Sequence, residues 1–237
     1  MVPPLERLLS WQDEGTDRIE KAVGALTDAE LAQPSVLPGW SRAHVVAHLA
    51  RNADALVNLL AWARTGIESP MYPEPGQRES DIETTVLLPP AELRTDLLAA
   101  NARLARATAE LPAGAWQARV RSAQGRDIPA GDVPWLRVRE LWIHLVDLGG
   151  RWTFDDLPAD LVVALLADVA STMDRKPTTP AVALVATGAG DWTIGPAAPA
   201  VTVTGPPADL LGWLTGRTAG TGLTSSAGEL PTLARWL

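Results

Sequence analysis

Arg139-Glu140-Leu141-Trp142-Ile143-His144-Leu145-Val146 sets two chemically capable side chains, four residues apart, among bulky apolar neighbours. On a helix, Glu140 and His144 lie one turn apart and point the same way. The surrounding Leu141, Trp142, Ile143, Leu145 and Val146 predict that this helix is largely buried. A buried carboxylate and imidazole need partners, and a metal ion supplies one. The chain has only three histidines. The other two, His44 and His48, repeat the four-residue spacing, with His48 among Val45, Val46, Ala47 and Leu49. No other part of the chain concentrates such groups equally.

Working outward, the first 150 residues read as helices. Residues 4–26 carry Leu5, Leu8, Leu9, Ile19, Val23 and Leu26 on a helical stripe, with Gly15 weakening the middle. Residues 34–40 form a break. Ser41 then caps a helix through Arg64, and Gly66 lies just past its end. The loop Ser69-Pro70-Met71-Tyr72-Pro73-Glu74-Pro75-Gly76 is long enough to wall a pocket. A third helix is predicted over 90–111 and a short hairpin over 116–129, turning at Gln124-Gly125-Arg126. Asp132 is placed to cap a fourth helix that runs to Leu148 and stops at Gly149-Gly150. Four helices of this kind predict a bundle able to host a metal between facing helices.

After Gly150 the texture changes. A helix over 158–175 precedes strand-like segments over 181–186, 191–194 and 200–204, with glycine and proline between them. A short helix over 207–214 leads to Gly216-Arg217 and a Gly/Thr/Ser-rich loop. The expectation is a multidomain fold: a helical bundle over residues 1–152 and a small α+β domain over 153–237.

Composition narrows the function classes. At 237 residues, 46% hydrophobic and 20% charged, the chain reads as an ordinary globular protein. A net charge of −8 argues against a non-specific grip on nucleic acid or anionic membrane. The first residues lack a charged region followed by an apolar stretch, so no secretory signal is expected and a cytoplasmic location is. No apolar run approaches a membrane span. A monomer is expected. Cysteine is absent, which excludes disulfides, iron–sulfur clusters, cysteine nucleophiles and redox zinc switches. Any metal must be held by nitrogen and oxygen, and any thiol must come from a cofactor. The ten tryptophans read as packing anchors.

Four groups compete as ligands. His48, Glu140 and His144 would leave coordination positions open, as a catalytic zinc requires, whereas adding His44 would close the site. His44 falls in the first turn after the Ser41 cap, where a capping role competes.

At these residues the chain resembles the mycothiol-dependent maleylpyruvate isomerase family, whose N-terminal part belongs to the DinB-like metal-binding bundles. The resemblance runs through residues 38–48, Trp62-Ala63-Arg64-Thr65-Gly66, Pro70-Met71-Tyr72, Ala123-Gln124-Gly125-Arg126, residues 139–149, residues 224–231 and Arg235-Trp236-Leu237. It implies a DinB-like four-helix bundle followed by an α+β domain. It makes His48, Glu140 and His144 the zinc ligands, leaves His44 out, and makes Arg217 important for activity.

The cofactors so implied are zinc and mycothiol, and the implied reaction converts the dicarboxylate maleylpyruvate to fumarylpyruvate in gentisate-type aromatic breakdown. A thiolate adds to the activated alkene, the resulting single bond turns, and elimination restores the double bond. A free thiol has a pKa of about 8.5, and metal coordination deprotonates it. The missing cysteine fits a sulfur borrowed from mycothiol. Arg217 would grip a substrate carboxylate through paired hydrogen bonds in a cleft between the two domains. Competing readings are a mycothiol S-transferase, a metal-dependent hydrolase on the same bundle, and a non-enzymatic metal-stabilised binding protein, the last suggested by a likeness of the C-terminal domain to sterol-carrier folds.

Overall fold

Apolar residues at three- and four-residue intervals become four long helices in the first unit of the chain. The structure, a computed structural model, describes residues 3–236. Met1 and Val2 of the N-terminal reading, and Leu237 of the terminal sequence block, lie outside them. Two compact units divide the chain between Gly150 and Arg151.

The first unit contains α1 (Leu5–Ala25), α2 (Asp28–Leu31), α3 (Arg42–Thr65), α4 (Gln77–Thr85) and α5 (Pro90–Ala109). An antiparallel hairpin of β1 (Arg119–Arg121) and β2 (Asp127–Pro129) leads into α6 (Val133–Asp147). Helices α1, α3, α5 and α6 form the expected bundle, with α3 packed on both α5 and α6 and α1 on α6. Their shared interior holds Ile19, Leu49, Leu56, Leu97, Leu141 and Trp142, all almost inaccessible to solvent.

The helix ends follow from local chemistry. Ser41 accepts from the His44 backbone N–H while the His44 ring accepts from the Ser41 backbone N–H, a reciprocal cap that starts α3. Gly66 at φ 74° closes the other end, a left-handed turn that favours glycine.

Two local expectations need correction, and one helix was not foreseen. Asp132 does occupy the position before α6, but its backbone is already helical (φ −87°, ψ −11°) and its side chain caps nothing. A tight 3-10 turn over Ala130–Asp132 runs straight into the helix, so the carboxylate lacks the extended backbone that aims a capping group. Helix α4 follows the predicted loop, over residues to which the sequence reading assigned no element. Its sequence is polar and buries just Ile82 and Thr85, so no apolar stripe announces it. A two-residue strand, β6 (Thr224–Ser225), forms within the predicted Gly/Thr/Ser loop.

The second unit has α7 (Ala159–Asp174), β3 (Val182–Ala186), β4 (Gly190–Ile194), β5 (Val201–Gly205), α8 (Pro207–Leu214) and then β6. Its sheet order is β4-β3-β5-β6. β3 pairs antiparallel with β4 and parallel with β5, and β5 pairs antiparallel with β6. The sheet is therefore mixed, and the unit is α+β. Helices α7 and α8 pack on each other, and α7 also packs on β4. No helix among the described residues is long and apolar enough to cross a membrane.

Gly15 does not interrupt α1. It lets Trp142 of α6 approach the α1 backbone, where the indole N–H donates to the Trp11 carbonyl at 2.9 Å. A Cβ at Gly15 would stand 2.7 Å from Trp142 Nε1 and 3.2 Å from Leu141 Cβ, whereas one at Gly24 meets nothing within 4 Å. Alanine improves helix propensity by about 1 kcal/mol, but forcing the tryptophan aside costs about 1–3 kcal/mol. Gly15→Ala is therefore expected to lower stability in urea unfolding, and Gly24→Ala to leave it equal or raise it.

Candidate metal centre

Helix α6 projects Glu140 and His144 from one face, and α3 presents His48 opposite them. His48 Nε2 lies 2.8 Å from Glu140 Oε2, and His144 Nε2 lies 3.2 Å from the same oxygen. The two imidazole rings meet edge to face at 4.7 Å. One donor atom from each of His48, Glu140 and His144 falls within 4.8 Å of the others. His44 stays outside this group. Its Nδ1 faces the Ser41 backbone N–H at 3.2 Å and the Ser41 hydroxyl at 2.7 Å, so it belongs to the cap of α3.

The cluster is recessed but not sealed, since Glu140 keeps 23% of its side-chain surface and His144 12%. Trp40 covers one side, its ring 5.6 Å from that of His48. Tyr72, from the proline-rich loop, is mostly buried, and burial pushes its phenol up to about 12.

The cluster divides its charge unevenly. Burial pushes His48 down to about 4, so its ring is neutral near pH 7. Burial alone would also depress His144, but hydrogen bonds to Asp147 and Glu140 outweigh it and hold the ring above its ordinary 6.5. Burial would raise Glu140, yet bonds from His144 and His48 prevail and hold it well below the usual carboxylate range.

Two contacts behind the donors were not foreseen as functional. Asp147, wholly buried, accepts from His144 Nδ1 at 2.7 Å. It stands three residues after His144, so helical spacing was the signal that could have found it. Arg78 of α4 donates from Nη2 to His48 Nδ1 at 3.3 Å. No sequence pattern links those two residues. Arg217 follows α8 in the second unit, where its guanidinium donates to the Thr215 carbonyl at 2.7 Å and lies 5.9 Å from the Trp236 ring.

Two nitrogens and a carboxylate oxygen, with no thiolate in the chain, suit a divalent ion of borderline softness such as zinc. Three protein donors leave room for an outside ligand. With Nδ1 tied to Asp147, His144 would offer its Nε2 to a metal once that nitrogen's proton is displaced, the carboxylate–imidazole arrangement that orients ligating histidines.

The N-terminal domain model of mycothiol maleylpyruvate isomerase matches residues 13–149, and the C-terminal domain model of the same proteins matches residues 156–235. This chain belongs to the mycothiol maleylpyruvate isomerase family. By that membership it is an enzyme of the isomerase class. The crystal structure of the mycothiol-dependent maleylpyruvate isomerase superposes with a TM-score of 0.94 at 36% identity, covering 99% of this chain and 98% of that one. A histidine-to-alanine mutant of that enzyme matches with the same figures. YfiT from Bacillus subtilis, described as a probable metal-dependent hydrolase with an unusual four-helix bundle topology, has a TM-score of 0.51 at 18% identity. It covers 62% of this chain and 86% of its own, and it shows a common fold alone. No curated protein matches the chain significantly.

Two measurements probe the cluster. Asp147→Asn removes the charge that orients His144 and is expected to weaken divalent-metal affinity about 10- to 100-fold in competition with a chromophoric chelator. A metal must also displace the proton that His144 holds with a pKa above 6.5. Affinity is therefore full above that raised pKa and falls about tenfold per pH unit below it. His48 adds nothing to this dependence until the pH nears 4.

Proposed function

We propose that this enzyme isomerises maleylpyruvate to fumarylpyruvate, with zinc held by His48, Glu140 and His144 and with mycothiol as the thiol cofactor. The observation that carries the reading is the convergence of these donors in a chain that a mycothiol-dependent maleylpyruvate isomerase matches over nearly its full length. The lack of cysteine supports it, because the protein has no thiol of its own.

When bound, the metal would keep a thiol deprotonated near neutral pH, and mycothiol would supply that thiol, whose reversible addition makes the cis double bond single long enough to turn. The chain's residues prepare the place. Glu140 is ionised and supplies negative charge to a cation. His48 is neutral, so its ligation would release no net proton once its hydrogen sits on Nδ1. Asp147 holds the His144 ring and keeps its proton on Nδ1. Trp40 packs against His48 and limits water on that side.

Arg217 is the proposed residue for a substrate carboxylate. A guanidinium can form two parallel hydrogen bonds to a carboxylate and stabilise charge as it moves.

The deciding experiment is an isomerisation assay on maleylpyruvate, with and without mycothiol, using metal-loaded wild type, His144→Ala and Arg217→Ala. Wild type is expected to need both metal and mycothiol. His144→Ala should lose metal and at least about 100-fold in rate, in the range of removing a metal-ligand role. Full activity without mycothiol, or in metal-free His144→Ala, overturns the reading. Arg217→Ala is expected to weaken substrate use by about tenfold or more, and unchanged turnover and affinity would remove Arg217 from the site.

A further inference from the structure

His48 and His144 stand in opposite hydrogen-bonding situations. His144 Nδ1 faces an acceptor, the buried Asp147 carboxylate. His48 Nδ1 faces a donor, the Arg78 guanidinium. Arginine cannot accept a hydrogen bond. The neutral His48 ring satisfies both its contacts only with its hydrogen on Nε2, donated to Glu140 at 2.8 Å, and its Nδ1 lone pair turned to Arg78. A histidine that ligates a metal through Nε2 carries its hydrogen on Nδ1 instead. Two donors would then face each other, so ligation by His48 and the Arg78–His48 bond exclude one another.

Charge says what a released Arg78 would meet. The carboxylates of Glu140 and Asp147 bring negative charge to the cluster, and a divalent ion would offset it. Arg78 and Arg137 both act on the cluster's residues. Arg137 is 1% exposed, and its Nη1 and Nη2 are taken up by Leu49 O, Asn52 Oδ1 and Asn101 Oδ1, so it lies out of reach of a ligand from solvent. Arg78 keeps 36% of its side-chain surface, and its other contact is to the exposed Glu79 at 3.1 Å. It sits in the first turn of the short helix α4, which packs against α3.

We propose that Arg78 is an anion anchor released by metal loading: ligation by His48 expels the guanidinium from Nδ1 and frees it to bind a carboxylate of an acidic substrate beside the metal. This rests on the isomerase reading for the identity of the substrate, but not for the exchange itself. The occupant is a small carboxylate dianion. A partly exposed cation beside a metal selects for anions, and a planar guanidinium matches a carboxylate edge. Metal and acidic substrate should thereby bind in order, because the anchor is engaged with His48 until the metal arrives.

Three titrations on wild type, Arg78→Ala and Arg78→Lys test the idea. In competition with a chromophoric chelator, Arg78→Ala is expected to bind zinc as tightly as wild type or more tightly, since the opposing donor is gone. In calorimetry on zinc-loaded protein, maleate is expected to bind Arg78→Ala about ten- to a hundredfold more weakly than wild type, with partial recovery in Arg78→Lys. Metal-free wild type should bind maleate no better than zinc-loaded Arg78→Ala does. In the isomerisation assay KM should rise in parallel while kcat stays within a few-fold. Weaker zinc binding by Arg78→Ala would make Arg78 a mere support for His48 and overturn the proposal. Unchanged maleate affinity, or no maleate binding by zinc-loaded wild type, would overturn it too. A wild type that binds zinc and maleate in this pattern yet isomerises nothing would defeat the functional reading and leave the anchor standing.

Discussion

Arg137 carries a positive charge into the centre of the helical unit and meets it with neutral oxygens at Nη1 and Nη2, its buried Nε being left without a hydrogen-bond partner. Its guanidinium reaches the Leu49 carbonyl and the Asn52 side chain on α3, at 2.8 Å each, and the Asn101 side chain on α5. Burial depresses its pKa to about 10, which still leaves it charged at neutral pH. A buried charge is tolerated only where such partners meet it. These bonds tie α6 to α3 and α5, and they do so beside the site: Leu49 follows His48 in the chain, and Glu140 stands three residues after Arg137. Sliding α6 along α3 would break the Arg137 bonds and separate Glu140 from His48 together. The polar network behind the cluster and the cluster itself share one helix register.

Within that register, two imidazoles of the same chemical type hold different protons. His144 is pressed between two carboxylates, Asp147 and Glu140, which hold its pKa above the ordinary value against the effect of burial. His48 is more deeply buried and also faces a guanidinium, so it stays neutral. The difference arises from what surrounds each ring. Through Nδ1, Asp147 prepares one ring to ligate, while Arg78 holds the other in the tautomer that cannot. Glu140 connects the two and carries the negative charge that either a proton or a metal can balance.

Much of this was legible along the chain, and the reasons are physical. The long helices announce themselves through apolar periodicity, so α1, α3, α5 and α6 were placed to within about a turn. Ser41 and Gly66 mark the ends of α3 through side-chain chemistry and backbone freedom that need no tertiary context. Glu140 and His144 could be paired because helical geometry alone puts residues four apart on one face. Helix α4 was missed because it is polar and short, held against α3 with only Ile82 and Thr85 buried. Asp132 was misread because capping depends on the backbone conformation at that residue, which the preceding 3-10 turn dictates.

By itself the sequence determined the helical unit and its α+β companion, the exclusion of cysteine chemistry, and the identity of the side chains able to hold a metal. All of these follow from composition, short-range periodicity or residue chemistry, helped by a resemblance that covers nearly the whole chain. Only the tertiary structure brought His48 against Glu140, assigned His44 to the cap, and set Asp147 behind one ring and Arg78 behind the other. The contacts of His48 join residues 92 and 30 positions apart. Hydrogen-bond direction and proton placement depend on distances of a few ångströms between separate helices, and those distances exist only after the bundle has packed.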